Sequence, residues 1–285
     1  VNMFESDDEI NMKVIIPMAG LGQRFVDVGY KNPKPFIWVD DDYIISKVVN
    51  MFESDDEIIF ICNERHLKDT DMHDRLRRLH KKSTIVSVPE HNRGPVFTMI
   101  PYMDLIDDNE QVIVCYCDNP YLWDYDHFKK WVNDTKVDGC VLTHTGFHPH
   151  RLASTYMAYC KMENDKMVEI KEKEPYTDNH WEEHASTGTY YFRKGSYVKK
   201  YFQETIDKEI KHTNGEYYVT LVYNLLIQDN LDVRIYDTDF VTVFGTPSEL
   251  ENYKAWQTIL KGDQVKTQED LINCYKYWKN YNEVS

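Results

Sequence analysis

Nowhere does the chain approach the run of about eighteen apolar residues that a membrane-spanning helix needs. Basic residues are also scarce: 33 Lys and Arg stand against 48 Asp and Glu, a formal net charge of −15. So acidic a chain is unsuited to general nucleic-acid or anionic-membrane binding, both of which rest on basic surface. Small anionic substrates stay open, because they need only a local cluster of cations, often with a metal ion. The six cysteines, Cys62, Cys115, Cys117, Cys140, Cys160 and Cys274, include no C-x-x-C pair and lie mostly in apolar runs. They read as buried reduced thiols rather than a disulfide framework. Val1–Asn11 is acidic and has neither the basic nor the apolar region of a signal peptide. These absences leave a cytoplasmic location as the expectation.

The 285 residues, 42% of them apolar, suffice for one large domain with a sizeable core. Short apolar, β-branched runs at Val14–Ile16, Ile58–Cys62, Ile85–Val88, Val112–Cys115 and Cys140–Leu142 read as strands. Helical spacing fills the intervals at Ile44–Phe52, Leu67–Leu79, Val96–Leu105 and Phe128–Val132. This alternation predicts a mixed, mostly parallel central sheet flanked by helices, a Rossmann-like α/β fold with ligands at the carboxyl ends of the strands. After Thr143, Tyr156–Cys160, Met167–Lys171 and Thr187–Phe192 read as a small antiparallel sheet. Helices near Tyr197–Ile210 and Tyr217–Gln228 follow, then short strands at Val233–Tyr236 and Phe240–Val243, and a helix from Pro247 to about Leu260. Gln268–Tyr281 reads as a terminal helix. The expected organisation is an extension at 1–11, the α/β domain at 12–262 and a helical appendage at 263–285. The extension is a copy: VNMFESDDEI at 1–10 recurs at 49–58, across a helix end and the start of a strand. A single repeat of this kind is not a solenoid.

The strongest motif follows the first strand at once: Val14-Ile-Ile-Pro-Met18-Ala19-Gly20-Leu-Gly22-Gln-Arg24-Phe25. Glycines let a backbone approach a triphosphate and leave N–H groups free to cradle it. Arg24 can contact phosphate oxygens bidentately. Lys34, between Pro33 and Pro35, supplies a second cation on a stiffened loop. The pattern is neither G-x-G-x-x-G nor a Walker A loop, since Phe25 stands where the third glycine would be and no G-K-[ST] occurs here. Asp118 closes the run Gln111–Cys117 and so falls at a strand's carboxyl end, where a carboxylate can hold a metal.

Together these segments resemble the sugar-phosphate nucleotidyltransferase family, nearest to members of capsular polysaccharide biosynthesis. The resemblance runs from about Met12 to about Leu260. It also takes in His91-Asn-Arg-Gly94-Pro95, Glu172-Lys173-Glu174-Pro175, Ser186-Thr-Gly188, Asn214-Gly-Glu216 and Phe244-Gly-Thr-Pro247, in the family's order. It implies that an acceptor phosphate attacks the α-phosphorus of a nucleoside triphosphate, with pyrophosphate leaving. CTP ranks first among the triphosphates, and the acceptor is a sugar phosphate or a similar small phosphorylated compound. The resemblance gives Met18, Ala19, Gly20, Gly22, Arg24, Lys34, Gly94 and Pro95 to the nucleotide, and Glu172, Lys173, Gly188, Asn214 and Glu216 to the acceptor. It gives Asp118 to Mg²⁺, and Arg24, Lys34 and Asp118 to catalysis. Nucleic-acid and membrane partners are not expected; a homo-oligomer is compatible with it.

One departure is plain. Several hexose-1-phosphate branches carry a second metal-binding Asp two residues before the glycine of D-x-G-T, and Val243 stands there in this chain. Glu216, Asp237 and Asp239 are the substitutes to consider, or Asp118 serves with phosphates alone. Two other functions compete. Asp124-Tyr-Asp126 is a D-x-D, as in metal-dependent glycosyltransferases of related fold, although it also reads as the acidic start of a helix. The missing second Asp admits a catalytically silent regulatory homologue.

Overall fold

The computed structural model describes residues 11–146, 148–151 and 154–260. Its centre is a nine-stranded sheet: β1 Lys13–Met18, β2 Glu57–Asn63, β3 Ser83–Val88, β4 Val112–Cys115, β5 Gly139–His144, β6 Ala158–Glu163, β7 Lys166–Glu172, β8 His184–Phe192 and β9 Val233–Asp237. The order is β7-β6-β8-β4-β1-β2-β3, with β5 on the other side of β8 and β9 beyond β5. β1 pairs in parallel with both β2 and β4, and β2 with β3. The strands that surround β8 are antiparallel to it. The expected mixed, mostly parallel sheet is thus present, and the antiparallel strands of the second half extend it. Two-residue pairings, Trp38–Val39 with Asp42–Tyr43 and Tyr121–Leu122 with Phe240–Val241, form small antiparallel sheets beside it.

Side chains alternate across a strand, so each face of the sheet collects its own core. Ile15, Ile59, Ile61, Val112 and Val114 face one way, onto the helices Gly195–Asp207 and Val219–Gln228 through Val198, Phe202, Val222 and Leu226. Val14, Ile16, Ile58, Phe60 and Ile113 face the other, with Val48, Leu76, Phe128 and Val132 from the helices Ile44–Val49, Met72–Leu79 and Tyr125–Thr135. Burial on both faces is why these strands read as continuous apolar runs.

The internal decapeptide copy has a structural role. Its Asp56 is fully buried: Oδ1 accepts from the Met12 N–H at 2.9 Å, and Oδ2 from the Glu53 N–H at 3.1 Å and the Tyr125 hydroxyl at 2.8 Å. The copy at 1–10 and the expected appendage at 263–285 lie outside the described residues. The five described cysteines are free thiols, four of them buried.

Three helical expectations need correction. The helix expected over Leu67–Leu79 is two, Glu64–Asp69 and Met72–Leu79. Thr70 is extended, and its hydroxyl donates to the His66 carbonyl and accepts from the Met72 N–H, which ends one helix and starts the next. The helix from Ile44 stops at Val49, and Val96–Leu105 divides into Pro95–Met99 and a 3₁₀ stretch, Ile100–Leu105, with Pro101 in its first turn. No helix of the described residues is long and apolar enough to cross a membrane.

Candidate active site

In an open parallel sheet, ligands bind beyond the carboxyl ends of the strands, between the neighbours at which the strand order reverses. β1 and β4 are such neighbours, and beyond their carboxyl ends lies a cleft of about 910 Å³. Every residue given a substrate or metal role above, from Met18 to Glu216, lines it; the alternatives Asp237 and Asp239 do not. A smaller cavity, about 480 Å³, sits at the opposite, amino end of β1 between Lys13, Glu57 and Arg77.

The first wall is backbone. The loop after β1 turns through Gly22, whose φ of 64° is left-handed and whose missing Cβ would stand 3.1 Å from the Lys34 Cβ. Asn63, at the end of β2, ties this loop down: its side-chain amide donates to the Ala19 carbonyl at 3.0 Å while its oxygen caps the next helix through the Arg65 N–H. Gly94, with φ 86°, lies against the Tyr217 backbone; a Cβ at Gly94 would stand 2.8 Å from the Tyr217 nitrogen, so a side chain there would collide. Hydrogen bonds from Val96 N to Tyr217 O and from Tyr217 N to Arg93 O fasten this loop to the second wall.

Between the walls, the Lys34 ammonium pairs with the Asp118 carboxylate and donates to the Gly245 carbonyl at 3.2 Å. Burial opposes the charge on Lys34, but Asp118 beside it, with Cys117 and Glu249, holds its pKa above the ordinary lysine value. Burial and Asp118 push the Cys117 thiol up to about 12, so it is protonated near neutral pH and unsuited to nucleophilic attack. Arg24 stands exposed on the rim.

The second wall is made of side chains. Neighbouring residues of a strand point to opposite faces, yet Glu172 and Lys173 both line the cleft. Lys173, just past the end of β7, has a left-handed φ of 62°, which breaks the alternation and turns its side chain inward. Its N–H donates to the Met157 carbonyl at 2.9 Å, and its ammonium to the Tyr218 hydroxyl at 2.8 Å. Burial raises the Glu172 pKa, against the Thr220 hydroxyl that donates to it at 2.7 Å and the nearby Lys173. The charge run Lys171–Glu174 is therefore divided: Lys171 and Glu174 pair with each other at 2.9 Å and the middle two face the cleft. The helix expected near Tyr217 begins at Val219 with Tyr218 at its cap, so Asn214 and Glu216 lie in the turn before it. Asn214 closes that turn, accepting from the Glu216 N–H at 3.0 Å and donating to the Tyr218 hydroxyl at 2.9 Å. Gly188 lies where β8 leaves β4 for β6, at an irregularity of register between Ser186 and Tyr190.

Sequence reasoning missed Asn63, Tyr218, Thr220 and Glu249. Glu249 sits in the first turn of Pro247–Leu260; Thr246 and Glu249 hydrogen-bond reciprocally, and the spacing T-x-x-E was a readable capping signal. Burial, then Asp118, raises the Glu249 carboxyl, against Thr246 and Lys34. The D-x-D is a helix cap: Asp124 accepts from the His127 N–H at 2.9 Å, away from the cleft. Asp237 is engaged by His184 at 3.0 Å and Thr143 at 2.6 Å.

The sequence model of the nucleotidyl transferase family matches residues 13–256, so the chain belongs to that family and is a nucleotidyltransferase. The family resemblance seen in the motifs is thereby borne out. No curated protein matches. Among solved structures, the fold is similar to a nucleoside-diphosphate-sugar pyrophosphorylase from Vibrio cholerae at 20% identity, covering 84% of this chain and 98% of that one, with a TM-score of 0.64. It is similar to a putative glucose-1-phosphate thymidylyltransferase from Bacillus anthracis at 20% identity, 86% and 94% coverage and a TM-score of 0.65. It also resembles an inositol-1-phosphate CTP transferase from T. maritima at 13% identity, 91% and 98% coverage and a TM-score of 0.65.

Proposed function

We propose that this nucleotidyltransferase moves a nucleoside monophosphate from a nucleoside triphosphate to a sugar phosphate or similar small phosphorylated acceptor, in the cytoplasm, toward surface polysaccharide precursors. The observation that carries the reading is the pairing of two dissimilar walls in one cleft: a glycine loop with Arg24 and Lys34 facing Glu172, Lys173 and Glu216. Triphosphate on the first wall and phosphorylated acceptor on the second bring the acceptor oxygen toward the α-phosphorus. A new P–O bond forms there, the bond from that phosphorus to the bridging oxygen breaks, and pyrophosphate carries the electron pair away. A phosphate monoester is already a competent nucleophile, so the chain's tasks are positioning and neutralising charge. Arg24 and Lys34 offset charge on the triphosphate and the departing pyrophosphate; Lys173 holds the acceptor phosphate; Glu172 and Glu216 meet the rest of the acceptor.

The residues at the centre of the cleft fit Mg²⁺. Asp118 offers a hard oxygen donor, and among the described residues no three His, Cys, Asp or Glu converge. Mg²⁺ prefers one or two carboxylates with phosphate oxygens and water to an all-protein cage. Bound there, it would neutralise charge across the phosphates.

CTP is the first choice of triphosphate. The names of the fold neighbours span thymidylyl and CTP chemistry, so the base is assigned by assay. Each NTP with Mg²⁺ and a panel of sugar and polyol phosphates should be tested for pyrophosphate release. The reading expects turnover with one phosphorylated acceptor and none with its dephosphorylated form; sugar transfer from a nucleotide sugar without pyrophosphate would contradict it.

A further inference from the structure

Val243 lines the cleft, buried and apolar, at the place where related sequences carry a second acid. A carboxylate nonetheless enters the cleft from the next helix, beside Gly245. A Cβ built on Gly245 would stand 2.9 Å from Glu249 Oε2 and 3.7 Å from Asp118 Oδ2, so both acids crowd one point beside the backbone of Gly245. The geometry is fixed from several sides. The Phe244 N–H donates to the Asp118 carbonyl at 2.9 Å, Lys34 reaches the Gly245 carbonyl, and Thr246 holds the Glu249 carboxylate at 3.0 Å.

A capping-box glutamate has a role without any ligand, since the carboxylate near a helix N-terminus stabilises the first turn. That role does not require the acid to line the cleft, nor to stand next to another carboxylate. Asp118 and Glu249 both act on the Lys34 ammonium, and two acids beside one ammonium in a partly buried place are eased by a further cation.

We propose that Glu249 supplies the second carboxylate of the divalent-cation site, in the place that Val243 leaves apolar. This rests on the reading of Asp118 as a metal ligand given above. The missing Asp would then be a relocation of the acid by six residues, from the loop into the first turn of the next helix, rather than a loss of activity. Oxygen donors from Asp118 and Glu249, completed by phosphate and water, suit a hard cation such as Mg²⁺ or Mn²⁺.

The test is Mn²⁺ binding to the whole chain, metal alone, read from the loss of the free-ion electron paramagnetic resonance signal. Wild type is compared with Asp118→Asn, Glu249→Gln and, as a control on the exposed surface, Asp239→Asn. Glutamine keeps the cap, because a capping box accepts Glu or Gln, so melting temperature should hardly move. Loss of a direct ligand should weaken Mn²⁺ binding by at least about tenfold, the lower end of what loss of a mere supporting residue costs. The expected result is such a loss in both Asp118→Asn and Glu249→Gln, none in Asp239→Asn, and recovery in the double variant Glu249→Gln/Val243→Asp. Wild-type affinity in Glu249→Gln with loss in Asp118→Asn overturns the proposal and leaves Asp118 in place. Wild-type affinity in both overturns it together with the metal reading of Asp118.

Discussion

The two walls of the cleft achieve order by different means. The wall proposed for the nucleotide is a backbone surface: Gly22 bends it, Asn63 pins it at Ala19, and Lys34 is placed by flanking prolines and an ion pair to Asp118. The wall proposed for the acceptor is a set of side chains held by one another. Tyr218 accepts from both Lys173 and Asn214, and Thr220 donates to Glu172. A backbone wall presents N–H groups that suit any triphosphate. A side-chain wall can be re-lettered residue by residue, which is where selectivity for one acceptor belongs.

If the junction between the walls is the reacting centre, its loss should outweigh any change on either side. Asp118→Ala is expected to lower kcat by about 10²–10³-fold or more while the circular dichroism spectrum and melting temperature stay near wild type. Turnover at the wild-type rate in the folded variant would remove Asp118 from the chemistry. A smaller effect should isolate the side-chain wall. Tyr218→Phe removes the hydroxyl that positions Lys173, and the KM for acceptor should rise about three- to tenfold with the KM for NTP unchanged, the scale of one hydrogen bond. A rise in both would mean that Tyr218 supports the whole cleft.

The smallest effect separates function from stability. Burial raises the Glu172 pKa, so its ionised form costs the folded state near neutral pH. A carboxyl raised in the fold binds its proton more tightly there than in the unfolded chain. Its contribution to stability is therefore fully present below the value of the unfolded chain and is lost as pH rises through the raised value. Glu172→Gln should raise Tm near neutral pH by about 2–4 °C, the shift expected for ~1 kcal/mol in a domain of this size, and should lack that pH dependence. It should also impair acceptor use. A lower Tm would show that the ionised acid is favoured by its surroundings.

The same contrast explains what could be read in advance. The nucleotide wall was legible because Gly20, Gly22 and Arg24 fall within five residues and follow a strand that is buried throughout. The sheet was legible for the same reason: its strands are buried on both faces. On the acceptor wall, alternation along β7 assigns Glu172 and Lys173 to opposite faces, and only the left-handed turn at Lys173 brings them together. Nothing local announces that turn, so the pair was found through family resemblance. Tyr218 and Thr220 act on β7 from a helix far along the chain, a pairing that only the fold creates. Glu249 was visible as a cap but not as a neighbour of Asp118. The break at Thr70 was missed because helical spacing continues through it while a hydroxyl competes for the backbone.

The division of labour between the walls is tested most directly by calorimetric titration of the productive NTP into the protein without acceptor. For wild type, Arg24→Ala and Lys173→Ala, the account predicts that Arg24→Ala loses about ten- to a hundredfold in affinity, the cost of one charge-assisted contact, and that Lys173→Ala binds as wild type does. Loss of NTP affinity in Lys173→Ala as severe as in Arg24→Ala would contradict it, and would make the segment around Lys173 part of the triphosphate site.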